Sequence, residues 1–216
     1  MFLDISMPLD EQTQPVPGHP APVFNVLHTI ARDAVSNTVS TFSLHTGTHV
    51  DAPAHMLPGG RTIDQVPVEW FIREGVCLDL SAVAGPRVEI TTADLREAGL
   101  YEQGLEAKAL LLATGWADTA RASEMLYRDN PYLSHEAAAE IADQEPRWIG
   151  LDFAVDKERP WPNHHAFFER EILLVENLVR LRELPRAGFR VFCFPLLLTG
   201  LNGAPDRVIA ELNSGV

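Results

Sequence analysis

SHEAAAEIADQEPRWIGLDF, residues 134–153, is one complete helix-to-strand unit, and the fold class follows from how that unit recurs along the chain. Ser134 is a candidate N-cap whose hydroxyl can take a free backbone N–H, and Glu136 adds negative charge at the positive end of the helix. Pro146 lacks the amide hydrogen that another helical turn would need. The next residues, RWIGLDF, form a short apolar run of the kind buried on both faces of a sheet. TTADLREAGL (91–100) followed by KALLLATGW (108–116) repeats the arrangement, with Thr91 and Asp94 spaced as a capping pair.

Outward from these two units the chain becomes richer in strands. PVEWFIREG (67–75) predicts a short helix opened by Pro67, with VCLDLS (76–81) as a buried strand, and residues 164–172 predict a helix before the strand LLVEN (173–177). FLDIS (2–6), VFNVLHTI (23–30), TVSTFSLHTGTHV (38–50), FRVFCFPLLL (189–198) and DRVIAEL (206–212) carry the β-branched and aromatic content of strands. Between the first two, the proline-rich residues 15–22 predict an extended loop. The expected class is α/β, a mixed, partly closed barrel-like β-sheet with flanking helices, in one domain spanning residues 1–216.

Composition narrows the function. The formal charge of -13 opposes docking on a phosphate backbone, which excludes nucleic acid as the expected partner. No apolar run approaches the roughly 20 residues of a membrane helix, so no membrane association is expected. MFLDISMPLD has no basic segment followed by an apolar stretch, and a cytoplasmic location is the expectation. Cys77 and Cys193 sit far apart in apolar runs and read as buried free thiols.

The chemistry concentrates in LHTGTHVDAPAH (44–55), which holds three of the eight histidines. His45, Gly47, His49 and Asp51 alternate, so an extended backbone would aim them at one face. A straight strand, however, would hold the two imidazoles roughly 13 Å apart, near the limit for sharing an ion. A bend is needed: Gly47 could supply it, or could leave room for the ion beside the backbone, and a helical turn would also bring His45 and His49 together, though Gly and β-branched neighbours disfavour it. Imidazole and carboxylate together suit Zn²⁺ or Mn²⁺ better than Ca²⁺ or Mg²⁺. His55, beyond the break at Pro53, is either a further ligand or a free imidazole suited to proton transfer. A second cluster lies in NHHAFFEREILLVEN (163–177). There His164 and His165 precede Glu176, a carboxylate ending an apolar run, where burial demands a positive partner.

Taken with LLLATGW (110–116), GLDFAVD (150–156) and the tail PLLLTGLNGAPDRVIAEL (195–212), these segments resemble, in order and over nearly the whole chain, the cyclase family of metal-dependent hydrolases, which includes bacterial kynurenine formamidase and isatin hydrolase. The resemblance implies that His45, His49, Asp51, His164 and Glu176 are the metal ligands and His55 the general acid/base. It implies one or two zinc ions, with manganese as the alternative, and a homodimer or higher homo-oligomer. The activity implied is hydrolysis of a small-molecule amide, formamide or cyclic amide, arylformamidase being the nearest named reaction. A lactone or ester substrate, a cyclase reaction and a non-catalytic metal-binding role are the competing readings; with no Gly-x-Ser-x-Gly present, a serine hydrolase ranks last. One residue departs from the formamidase pattern: Val16 stands where that branch carries a tryptophan lining the substrate pocket. Trp116 and Trp161 are candidate replacements.

Overall fold

The computed structural model describes residues 1–213. Thirteen strands are present in that range: β1 (Phe2–Asp4), β2 (Val23–His28), β3 (Asn37–Thr41), β4 (His49–Asp51), β5 (Ile72–Asp79), β6 (Glu89–Ile90), β7 (Ala109–Ala113), β8 (Tyr132–Leu133), β9 (Trp148–Leu151), β10 (Leu173–Glu176), β11 (Phe189–Cys193), β12 (Gly203–Pro205) and β13 (Val208–Leu212). The helices are α1 (Ile30–Asp33), α2 (Thr92–Glu97), α3 (Trp116–Ala120), α4 (Met125–Arg128), α5 (His135–Ala142) and α6 (Pro162–Phe168).

Nine strands form one mixed sheet in the order β1-β13-β11-β5-β7-β9-β10-β4-β12. The run β5-β7-β9-β10 is parallel, and the strands on either side of it pair antiparallel. The sheet curls. The chain leaving β1 bridges the segment just after β10, where Ser6 pairs with Leu178 and the Val179 N–H donates to the Ile5 carbonyl. The expected mixed, partly closed barrel-like sheet with flanking helices is the fold observed.

Alternation along the central strands separates two apolar layers. Leu110, Leu112, Ile149, Leu151 and Leu174 pack under α5 and α6 with Ile141, Phe167 and Phe168. Leu111, Trp148, Leu173 and Val175 point to the inside of the curl with Val50, Phe189 and Val191. The capping residues act as their types dictate. Thr91 accepts from the Asp94 amide while the Asp94 carboxylate accepts from Thr91, and Ser134 accepts from the Ala137 amide.

Several boundaries differ from the sequence expectation. In 67–75 only Val68–Phe71 form a 3-10 turn, and the strand starts at Ile72. The expected strand 38–50 is interrupted, ending as β3 at Thr41 and resuming as β4 at His49. The expected strand 189–198 stops at Cys193, two residues ahead of Pro195, which has no N–H for a ladder. β12 gives no strand signal because two of its three residues are Gly and Pro. Finally, β2 and β3 pair only with each other and stand off the main sheet.

Close packing of the sheet makes one glycine obligatory. Gly75 on β5 lies opposite Phe189 on β11, and a Cβ there would fall 2.1 Å from the phenyl ring. Gly75→Ala is therefore expected to cost about 1–3 kcal/mol by overpacking. Calorimetric unfolding checks this, and an unchanged Tm would show that the ring gives way freely.

Candidate metal centre

The register of β4 against β10 builds the heart of the site. His49 lies opposite Glu176 and Asp51 opposite Leu174, so His49, Asp51 and Glu176 share the face of the sheet on which the helices pack. Val50 points the other way into the curl. The turn after α6 feeds directly into β10, so His164 is folded back over that same face. Its ring nitrogen Nε2 comes to 3.5 Å from Glu176 Oε1, and His49 Nε2 lies 3.7 Å from Glu176 Oε2.

His45 arrives by the bend that spacing demanded. Gly47 sits at φ +67, in the left-handed region that glycine enters without penalty, and the chain turns there. The bend brings His45 Nδ1 to 2.6 Å from Asp51 Oδ1, while His49 Nε2 stands 3.3 Å from the same oxygen. His45 and His49 are thus joined by a turn rather than one straight strand. Gly203 on β12 backs this corner, where any Cβ would meet the Val50 carbonyl at 2.6 Å.

All five candidate ligands are buried, and they form two overlapping groups, His45, His49 and Asp51, and Asp51, His164 and Glu176. Within each group one donor atom per residue lies within 4.8 Å of the others. His45 Nε2, His49 Nε2 and Glu176 Oε1 are buried with no hydrogen-bond partner. Lone pairs left unmatched in so confined a space are costly unless a further group meets them, and a cation can take a pair from each of these atoms. The residues present therefore fit a divalent ion of the transition series.

His55 follows the break at Pro53 in a 3-10 turn and stacks at 4.1 Å from His45, ring centre to ring centre, and at 6.2 Å from His164. Its Nδ1 is buried and unpaired. Burial holds its pKa below the ordinary histidine value, with His45 and His164 opposing the charge and Asp51 offsetting only part. His165, the other member of the pair in 163–177, is only half-buried and lies outside both groups.

Supporting contacts that the sequence did not advertise set the rings. Asp156 accepts from His164 Nδ1 at 2.6 Å and from the amides of Asn163 and His164, leaving Nε2 to face Glu176. The Gly47 carbonyl accepts from His49 Nδ1 and from Asn177 Nδ2, and Tyr127 donates to Asn177 in turn. Such outer contacts fix tautomer and orientation in histidine metal sites. His19 also reaches the cluster, at 6.2 Å from His45.

In the metal-free protein the imidazoles take the place of a cation. Burial works against charge on His49, but Asp51 and Glu176 outweigh it and push its pKa up to about 9. His164 is likewise raised, against burial, to about 10 by Asp156 and Glu176. Burial alone would raise Asp51, yet His49 and His45 hold it well below the usual carboxylate range. Because the two histidines titrate above an unfolded value near 6.5, their contribution is complete below that pH and disappears as pH rises through 9 to 10. Unfolding of the chelator-treated protein should thus shift to lower temperature between pH 7 and 10. Zinc loading should show the opposite slope, strengthening with pH and releasing protons, which calorimetry in buffers of different ionisation enthalpy measures. A loading affinity independent of pH would contradict this arrangement.

Comparison with known proteins agrees with the geometry. Residues 3–157 match the family model described as "Putative cyclase". The kynurenine formamidase of Bacillus cytotoxicus is 27% identical over 212 residues, covering 96% of each chain. Isatin hydrolase A from Labrenzia aggregata, in complex with benzyl benzoate, superposes with a TM-score of 0.86 at 22% identity, over 99% of this chain and 94% of that one. A structure described as a potential metal-dependent hydrolase with cyclase activity superposes with a TM-score of 0.78 at 25% identity, over 100% and 99% of the two chains. With its family model matched over most of its length and its curled mixed sheet shared with these structures, the chain belongs to the cyclase family.

Proposed function

We propose that this protein is a metal-dependent amidohydrolase that opens the carbon–nitrogen bond of a formamide or cyclic amide, with arylformamidase the nearest named activity. The observation that carries this reading is the cluster of buried, unpartnered ring and carboxylate atoms around Asp51, with the neutral, unpaired base His55 beside it. His45, His49 and Asp51 would hold the ion, and His164 and Glu176 would complete the set. Bound there, a zinc ion polarises the scissile carbonyl and lowers the pKa of water to about 7; manganese suits the same donors. Asp51 belongs to both groups, which accommodates one ion or two.

His55 accepts the proton that water loses as its oxygen adds to the carbonyl carbon. It returns that proton to the nitrogen as the C–N bond breaks, leaving a carboxylic acid and an amine. Its own burial, with His45 and His164 beside it, holds the His55 pKa below the ordinary histidine value and so favours the unprotonated ring that the first of these steps needs. A lactone or ester would need the same two transfers, with oxygen as the leaving atom. A purely structural ion would have no use for a free imidazole at this distance.

The relatives named kynurenine formamidase and isatin hydrolase favour an amide carried on or fused to an aromatic ring. Val16 takes the place of the formamidase tryptophan, so the pocket wall differs. Trp116 is buried with its Nε1 donating to the Leu126 carbonyl. Trp161 is only partly buried and stacks under Arg159. We also read residues 1–216 as one domain, supported by the pairing of β1 with β13 from opposite ends of the chain. A cytoplasmic location fits two buried, unpaired thiols, with Cys77 pushed up to about 12 by burial. No helix among the described residues is long and apolar enough to cross a membrane.

A homodimer or higher homo-oligomer is part of the same reading, supported by the β2–β3 ribbon. An isolated two-stranded hairpin is marginal in water, and this one exposes Val23, Val26, Leu27 and Val39. Sedimentation equilibrium should give at least twice the monomer mass, and Val26→Glu with Val39→Glu should shift the protein toward monomer.

His55→Ala should keep the wild-type metal content and lose about 10²–10⁴-fold in kcat on formanilide or isatin-type substrates. Chelation should abolish turnover and zinc or manganese should restore it. Activity that survives complete metal removal would overturn the reading.

A further inference from the structure

Arg61 closes the loop that carries His55, and neither the ligand set nor the chemistry assigned above uses it. Pro53 opens a 3-10 turn through His55, in which the His55 amide donates to the Ala52 carbonyl at 2.8 Å and the Leu57 amide to the Pro53 carbonyl at 2.9 Å. The chain then reverses. On its return the Gly60 amide donates to the Leu57 carbonyl at 2.9 Å, and the Ala54 amide donates to the Arg61 carbonyl at 3.0 Å. At this neck the two passes lie so close that a Cβ on Gly60 would fall 2.7 Å from the Pro53 carbonyl carbon. A shift of the neck therefore carries the His55 backbone with it.

The Arg61 side chain fastens the neck to another part of the site. Its Nε donates to Glu171 Oε2 at 2.5 Å, its Nη1 donates to the Gln65 carbonyl at 3.2 Å, and its guanidinium carbon lies 5.4 Å from the centre of the Trp70 ring. Among the described residues, no other side chain of 53–61 forms a hydrogen bond. Glu171 stands in the turn between His164 on α6 and Glu176 on β10, and its own amide donates to the Phe168 carbonyl at 3.0 Å. Partly exposed ion pairs are worth little alone. Here the Gln65 carbonyl and the indole face add two further contacts to a rigid planar group, which fixes its direction as well as its distance.

We propose that Arg61 is a positioning residue that holds His55 in place over the ligand cluster, by tying the neck of its loop to the turn between His164 and Glu176. The His55 ring lies 4.1 Å from that of His45 and 6.2 Å from that of His164, so sliding the loop past α6 changes both spacings. Met56 and Leu57 pack on the core and keep the loop folded without Arg61, so its removal costs alignment. The inference rests on the hydrolase reading above, in which His55 moves the proton. No proton moves at Arg61.

The test compares zinc-loaded wild type, Arg61→Ala and Arg61→Lys, which keeps the charge but not the planar array. Amide hydrogen exchange over residues 53–62 should be about three to thirty times faster in Arg61→Ala, with zinc content equal to that of the wild type. On formanilide or an isatin-type substrate, Arg61→Ala should lower kcat roughly tenfold to a hundredfold with KM changed less than about twofold, the cost of displacing a reacting group by about an ångström. Arg61→Lys should recover part of both. In a His55→Ala background, Arg61→Ala should lower the remaining rate no further, because it acts through His55. The proposal is overturned if Arg61→Ala leaves either exchange over 53–62 or kcat unchanged, if it loses zinc, if Arg61→Lys behaves as Arg61→Ala, or if the two losses multiply in the double variant. A wild type that hydrolyses neither substrate, or a His55→Ala variant as fast as wild type, overturns the hydrolase reading alone. Exchange over 53–62 then decides whether Arg61 holds the loop.

Discussion

Asp51 and Glu176 are carboxylates withdrawn from water on a face of the sheet otherwise filled with leucine, isoleucine and phenylalanine. Burying such charge costs several kcal/mol per group unless positive charge and hydrogen bonds meet it closely. The chain meets it with three imidazoles from two segments, His45 and His49 around the bend at Gly47 and His164 on α6. Protons on those rings and a bound cation are alternative ways to balance the same two carboxylates. A site of this kind binds metal by exchanging protons for it, and its surroundings must hold the rings in place under either occupant.

That requirement accounts for the outer contacts. Asp156 turns His164 by its Nδ1, the Gly47 carbonyl turns His49 by its Nδ1, and Asn177 anchors the Gly47 carbonyl from the far strand. Thr48 extends the same tie, accepting from the Met7 amide and donating to the Asn177 carbonyl. The curl of the sheet serves the site as well, because it brings the chain after β1 against the end of β10 where Glu176 and Asn177 sit. His55, on the turn that begins at Pro53, stays outside this network, with its Nδ1 buried and without a hydrogen-bond partner.

Legibility followed the range of the interactions. α2 and α5 could be read with their caps because Thr91, Asp94 and Ser134 act within one turn of their own helix. β7, β9 and β10 were visible as apolar runs since both faces of the central sheet are buried. β12 was invisible, because Gly203 and Pro205 carry no strand signal and pair only where β4 is already in place. β2 and β3 were recognisable as strands, but nothing local indicated that they would leave the main sheet. Asp156 gives no local sign of its part, since it meets His164 only once the intervening loop has folded it against the start of α6.

From the sequence alone came the chemical inventory: imidazoles and a carboxylate at a spacing that forces a bend, a histidine set apart by Pro53, and a glutamate ending an apolar strand. These follow from bond lengths, backbone preferences and the cost of an unmatched charge, all expressed within a dozen residues. Tertiary structure alone decided that His49 faces Glu176, that His164 and not His165 turns inward, and that Asp51 lies between two groups of donors. Those outcomes depend on the register of β4 against β10 and on α6 folding back over the sheet. The first joins segments more than a hundred residues apart and the second depends on packing against α5 and β10, so no short stretch of sequence carries either constraint.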